Sequence, residues 1–112
     1  MRRETSAWLW DAREAIDAIG SFVDGVDESE FTHSLLIRSA VERQLEVLGE
    51  ALNRVRSADP ETAALIADIH RIIAMRNVIA HQYGEIDYAI VWSAVNDRVP
   101  QLRSTIAALL SD

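Results

Sequence analysis

Apolar residues return every three or four positions through four stretches of the chain, and none of these alternates in the two-residue rhythm of a strand. The first stretch runs from about Thr5 to Val23. Trp8, Ala12, Ala15, Ile19 and Phe22 mark its apolar face, with Asp11, Arg13, Glu14 and Asp17 between them. It ends in the acidic, turn-rich Asp24-Gly25-Val26-Asp27-Glu28-Ser29. The second stretch, from about Ser29 to Arg56, carries two neighbouring stripes: Ile37, Val41, Leu45, Leu48, Leu52 and Val55 beside Leu36, Ala40, Val47 and Ala51. A helix of that length reaches ~40 Å, end to end across a compact domain of this size. Two stripes imply two buried faces. Either the helix is central to its own bundle, or its second face meets another chain.

The third stretch opens on a clear start signal. Asp59 caps, Pro60 suits the first turn, and Glu61 favours the positive end of the helix dipole. Leu65, Ile66, Ile69, Ile72, Ile73 and Val78 then form a broad apolar face, and Gly84 in Gln82-Tyr83-Gly84 is a plausible stop. The pattern tolerates a break near His70 without demanding one. The fourth stretch starts at a cap on Asp87 and continues through Tyr88, Val91, Val95, Val99, Leu102, Ile106 and Leu109 to about Leu110. Pro100 lies inside it, which predicts a kink or a helix in two pieces. Together these stretches predict an all-α fold: an antiparallel four- to five-helix bundle with short connections, one domain over residues 1–112.

Composition narrows the function. Apolar residues make up 49% of the 112 positions, enough for a packed core, while four Gly and two Pro argue against a turn-rich β fold. The absence of cysteine excludes disulfides, thiolate zinc sites and cysteine nucleophiles. No apolar run approaches the ~18 residues of a membrane span, and Met1-Arg2-Arg3 leads to Glu4 rather than to a signal-peptide core. A cytoplasmic protein that does not enter the membrane is expected. Eleven arginines against eighteen acidic residues leave a net charge of −7. Neutralising phosphates supplies most non-specific affinity for nucleic acid, so an acidic chain that handles RNA or DNA needs a local basic site.

One segment meets that demand. From His70 to Tyr83 the chain holds two of its three histidines and two arginines, with no acidic residue between Asp68 and Glu85. Arginine clamps phosphate, histidine moves protons, and asparagine and tyrosine offer hydrogen bonds. On a regular helix Arg76 and His81, five residues apart, point about 140° away from each other. They converge on one phosphate only if the helix loosens before His81, or if the site combines copies of the segment from two chains across a symmetry axis.

Arg76, His81 and Tyr83 form an R-x4-H-x-Y pattern, and the chain here resembles the HepT ribonuclease-toxin family of the HEPN superfamily. The run from Glu42 to Ala51 is similar to that family's central-helix motif, and Met75–His81 to its active-site run. Asp87–Trp92 resembles the opening of its last helix, and Val99-Pro100-Gln101-Leu102 carries the familiar proline. The likeness covers roughly Leu35 to Leu110. It implies an all-α homodimer with an RNA-cleaving cleft at the dimer interface, working without metal or other cofactor. It also implies a place as the toxin beside an MntA-type nucleotidyltransferase antitoxin, which transfers AMP to the motif tyrosine. Carried over, Arg76 and His81 are the catalytic pair and Tyr83 is the AMPylation target. Asn77, one turn before His81, would orient its ring, and Arg71 would contact the RNA backbone.

Those roles make chemical sense. His81 would deprotonate the ribose 2′-hydroxyl or protonate the leaving 5′-oxygen, a task worth ~10²–10⁴-fold in rate. Arg76 would hold the phosphate and stabilise its developing charge. A 2′-hydroxyl nucleophile predicts RNA over DNA and a cyclic phosphate product. AMP on Tyr83 would put a bulky base and a negative charge where that phosphate binds.

Plainer readings stand beside these. Arg76 can be a structural arginine paired with Asp68 or Glu50; His81 can simply favour a helix C-terminus; Tyr83 can be a half-buried aromatic. His70 and His33 read as structural or surface residues, and Asp68 with His70 lacks a further ligand at metal-site spacing. Trp8, Trp10 and Trp92 read as core or interface packing. The rival function is a non-catalytic companion, a helical nucleotide-binding or docking partner of a nucleotidyltransferase, and the acidic bulk suits that role. A purely structural dimerising bundle is the third.

Overall fold

Ser34 divides the long second stretch that the apolar pattern predicts as one helix. Its N–H still donates to Phe31 O as one helix ends, while its hydroxyl accepts from Ile37 N as the next begins. A serine that offers the backbone a local alternative partner is a common way to stop and restart a helix. The computed structural model describes residues 1–81 and 86–111, with the backbone alone at positions 80 and 81. Over those residues the elements are α1 (Arg3–Val23), α2 (Glu28–His33), α3 (Leu35–Ala58), α4 (Pro60–Ala63), α5 (Ile69–His81) and α6 (Tyr88–Leu110). There is no strand among the described residues, and no helix is long and apolar enough to cross a membrane.

The predicted third helix is also divided. Asp59 caps α4 as expected, accepting from Thr62 N at 3.2 Å. The chain then turns, and α5 starts only after Asp68, whose φ of +62° is the left-handed conformation that ends regular helix. The break therefore falls just ahead of His70. The expected stop at Gly84 lies outside the described residues. Asp87 caps α6 through Ala89 N at 3.0 Å. Pro100, by contrast, does not split α6, which runs unbroken to Leu110. Both Pro100 and Asn96, whose carbonyl loses its partner there, are exposed, so water can take the place of the missing bond.

Contacts between the long helices make the bundle antiparallel. Thr5 near the start of α1 meets Asp59 at the end of α3, Glu50 and Arg56 of α3 meet Arg76 and His70 of α5, and Asp17 of α1 meets Arg103 of α6. α3 is central, burying Val41, Leu45, Leu48, Leu52 and Val55 between α1 and α5. Its second stripe is only partly buried, and Leu36 is 81% exposed. The core face of α1 is turned from the predicted one: Leu9 and Ile16 join Ala12, Ala15 and Ile19 inside, while Trp8 is half-buried and Phe22 exposed. Trp10 also lies outside, under the Arg13 guanidinium 4.4 Å from its ring. Phe31 of α2 is fully buried and anchors the start of α6, with the Trp92 ring 5.1 Å away. Between α5 and α6 an apolar groove of ≈ 730 Å³ remains, lined by Met75, Val78, Ile79, Ile86 and Ile90.

Asp59 does more than cap. Its Oδ2 also accepts from the Thr62 and Thr5 hydroxyls, each at 2.8 Å, tying the start of α1 to the α3–α4 corner. These hydrogen bonds, the Thr62 hydroxyl foremost, hold the carboxyl below the ordinary aspartate range. A depressed carboxylate pKa stabilises fully above the unfolded-state value of about 3.9, and that contribution fades as the pH falls through the folded value. Wild type is expected to lose stability as the pH drops below about 4. Asp59→Asn, with a lower Tm at neutral pH, should lose less over the same interval, as thermal melts across pH will show.

Candidate active site

The site begins with a missing side chain. Gly49 is buried on α3 where α5 crosses, and a Cβ built there would lie 2.3 Å from Arg76 Cβ and 2.6 Å from its Cγ. Only glycine admits the Arg76 stem at this separation of the two helices. The next residue receives the head of the same arginine: Arg76 Nη2 donates to Glu50 Oε2 at 3.1 Å. Arg76 Nη1 donates to Asn77 Oδ1 at 2.7 Å. The other oxygen of Glu50 accepts from Arg54 Nε at 3.3 Å, so one carboxylate bridges two guanidinium groups.

Of the two carboxylates the sequence offers Arg76, the structure selects Glu50. Asp68 lies instead 3.9 Å from Arg71 Nε. Both arginines of the basic segment thus carry an acidic partner, and the segment is not a bare positive patch. Arg76 lines an open groove of ≈ 770 Å³ together with Arg43, Glu46 and Arg54 of α3 and Asp11 and Glu14 of α1. Arg71 lines the separate α5–α6 groove. The fold therefore gathers Arg76, Asn77, Glu50 and Arg54 and sets Arg71 apart. Asn77 is exposed and its oxygen is engaged by Arg76. The His81 side chain and all of Tyr83 lie outside the described residues.

Helix α5 remains helical through His81. Loosening ahead of His81, one of the two ways to bring it to Arg76, does not occur. By register position 81 follows Ala74, Asn77 and Val78, three exposed positions, whereas Arg76 faces α3.

The remaining histidines match the plain reading. His70 Nδ1 accepts from Arg56 Nη1 at 3.2 Å, and the exposed His33 donates from Nδ1 to Ser29 O at 2.8 Å. No three His, Asp or Glu side chains cluster as metal ligands among the described residues. One polar tie was not foreseen. Tyr88 OH donates to Glu42 Oε1 at 2.7 Å, and Arg38 stacks 4.6 Å above the Tyr88 ring. Accepting that bond, Glu42 raises the Tyr88 pKa, and burial adds to the shift. The tie fixes the start of α6 to α3.

An antiparallel helical protein with arginine, asparagine and histidine placed along one helix is the class that fold and site define. Within it, the chain belongs to the family described as "Ribonuclease HepT-like", whose profile matches residues 12–109. It is 30% identical over 105 residues to "Putative RNase MJ1380" of Methanocaldococcus jannaschii, covering 94% of this chain and 95% of that one. To "Putative RNase MJ1216" of the same organism it is 30% identical over 111 residues, 99% and 91% of the two chains. To "Probable ribonuclease HepT" of Thermococcus cleftensis it is 27% identical over 111 residues, 97% and 98%. No solved structure matches it.

Proposed function

We propose that this protein is a cytoplasmic, metal-independent endoribonuclease, the toxin of a toxin–antitoxin pair, acting as a homodimer. The observation that carries the reading is the seating of Arg76 between Gly49 and Glu50 on a helix that continues unbroken to His81, in a chain of the ribonuclease HepT-like family. The relatives' names as RNases support the activity. Positions 76 and 81 of a regular helix lie about 140° apart around its axis, and on this reading the second chain supplies what one chain separates. The apolar α5–α6 groove, with Val78 47% and Ile90 61% exposed, offers the contact surface.

In the reaction His81 takes the proton of the ribose 2′-hydroxyl, and that oxygen attacks the neighbouring phosphorus. The bond to the 5′-oxygen breaks, and a proton delivered to this oxygen completes departure, leaving a 2′,3′-cyclic phosphate. Arg76 holds the phosphate and meets the charge that grows on it. Because the substrate brings its own nucleophile, no metal-bound water is required. Tyr83 is the AMPylation target of an MntA-type nucleotidyltransferase antitoxin. AMP there sets a negative charge against the incoming phosphate.

Replacing the ribose at a cleaved position by 2′-deoxyribose tests the chemistry. Cleavage at that position should vanish while neighbouring positions are still cut; continued cleavage there contradicts 2′-hydroxyl attack. A second reading, the docking companion of a nucleotidyltransferase, draws support from the carboxylate partners of Arg71 and Arg76 and the acidic groove wall. A harmless protein that binds nucleotide stoichiometrically and leaves RNA intact would favour it.

A further inference from the structure

We infer that Glu50 is the positioning residue of the Arg76 guanidinium, and that the Gly49-Glu50 pair on α3 forms a two-point seat for that arginine. The inference rests on the nuclease reading of Arg76. An arginine head sits at the end of a long, flexible stem, and a phosphate clamp works only when the head is presented in one orientation. Here the stem is fixed by contact with Gly49 and the head by Glu50 Oε2 at 3.1 Å. Asn77 Oδ1 takes Nη1, leaving Nε–H and the remaining N–H groups of the fork for a ligand.

Stability does not account for the pair. The Arg76 side chain is 28% and the Glu50 side chain 43% exposed, and ion pairs open to water to this degree add little to folding. Their arrangement does more for orientation, since the two oxygens of Glu50 are held from both sides, by Arg54 Nε and Arg76 Nη2. The carboxylate is itself fixed before it fixes Arg76. Glu50 also adds a negative charge to a groove meant for a polyanion. Orientation and attraction therefore pull in opposite directions, and the two effects separate in kinetics.

The test is steady-state cleavage of a labelled single-stranded RNA by Glu50→Ala, Glu50→Gln and Glu46→Gln, beside wild type and His81→Ala. Glu46 lines the same groove and lies 3.7 Å from Arg43, so its substitution removes a charge without touching Arg76. Glu50→Ala should lower kcat about 10- to 100-fold with KM unchanged or reduced. Glu50→Gln, whose amide oxygen still accepts from Arg76, should retain more kcat than Glu50→Ala. Glu46→Gln should stay within about twofold of wild-type kcat. Near-wild-type kcat in Glu50→Ala, or equal losses of kcat in Glu50→Ala and Glu50→Gln, would overturn the inference. Should the alanine variant fail to fold, Glu50→Leu, which keeps the bulk but has no acceptor for Arg76, carries the same comparison against Glu50→Gln. Loss of the underlying nuclease reading looks different: wild type does not cut, or His81→Ala cuts equally well.

Discussion

A mixture of Arg76→Ala and His81→Ala chains is expected to cleave RNA that neither variant cleaves alone. Each substitution by itself should cost on the order of 10²–10⁴ in kcat, the usual worth of a proton-transfer group or a donor to developing charge. The basis for rescue is geometric. α5 stays helical through His81, so Arg76 and the His81 position lie about 140° apart around its axis. Arg76 is also committed to α3 by Gly49 and Glu50 and cannot swing round its own helix. If the second chain completes the site, a mixed dimer contains one doubly damaged site and one intact site. Free exchange of subunits then restores about a quarter of wild-type activity. A mixture that remains inactive, with mixed dimers demonstrated by tagged co-purification, would place Arg76 and His81 in a site within one chain.

Gly49→Ala is expected to lower stability by about 1–2 kcal/mol and to reduce cleavage with it. Taken alone, alanine in a helix interior is favoured over glycine by ~1 kcal/mol, so the sign is set by packing. The added methyl would sit 2.3 Å from Arg76 Cβ, a stem atom with no rotamer to escape into, so the helices must separate. Truncating the arginine to alanine leaves that Cβ in place and gives no relief. Arg76→Gly does give relief, and Gly49→Ala should cost less in that background. Urea unfolding of the two single variants and the double variant measures this difference. A Gly49→Ala protein as stable as wild type would mean that the α3–α5 approach at this level is not tight.

Local signals were legible where one side chain settles the matter. Asp59 and Asp87 are carboxylates placed to accept a helix N-terminal N–H, and both cap as expected. Apolar periodicity yielded the all-helical bundle, while it left open whether the long second stretch is central to its own bundle or meets another chain; α3 is central, with its second stripe only partly buried. What could not be read depends on competition or on distant partners. Ser34 interrupts a good apolar pattern through one hydroxyl, and periodicity has no term for that. On α1 large aromatics suggested a face through Trp8 and Phe22, but close packing against α3 selects the row through Leu9 and Ile16.

The site divides the same way. R-x4-H-x-Y singled out the α5 segment, while the choice between Asp68 and Glu50 as partner of Arg76 depends on how α5 lies against α3. Gly49 was visible only as part of a motif. Its role appears once the helices are brought together, because the information is in the space that a Cβ would fill. Arg71 was grouped with Arg76 by closeness in sequence. Five residues along a helix turn them towards different grooves.

The most direct measurement is cleavage of a labelled single-stranded RNA by the purified protein in excess EDTA, with His81→Ala alongside. Mass spectrometry of the Tyr83 peptide comes first, so that a silenced protein is not mistaken for an inert one. The account predicts cleavage that survives chelation, ends in a cyclic phosphate and disappears in His81→Ala. Intact RNA with demonstrably unmodified wild type, or equal cutting by the variant, would contradict it.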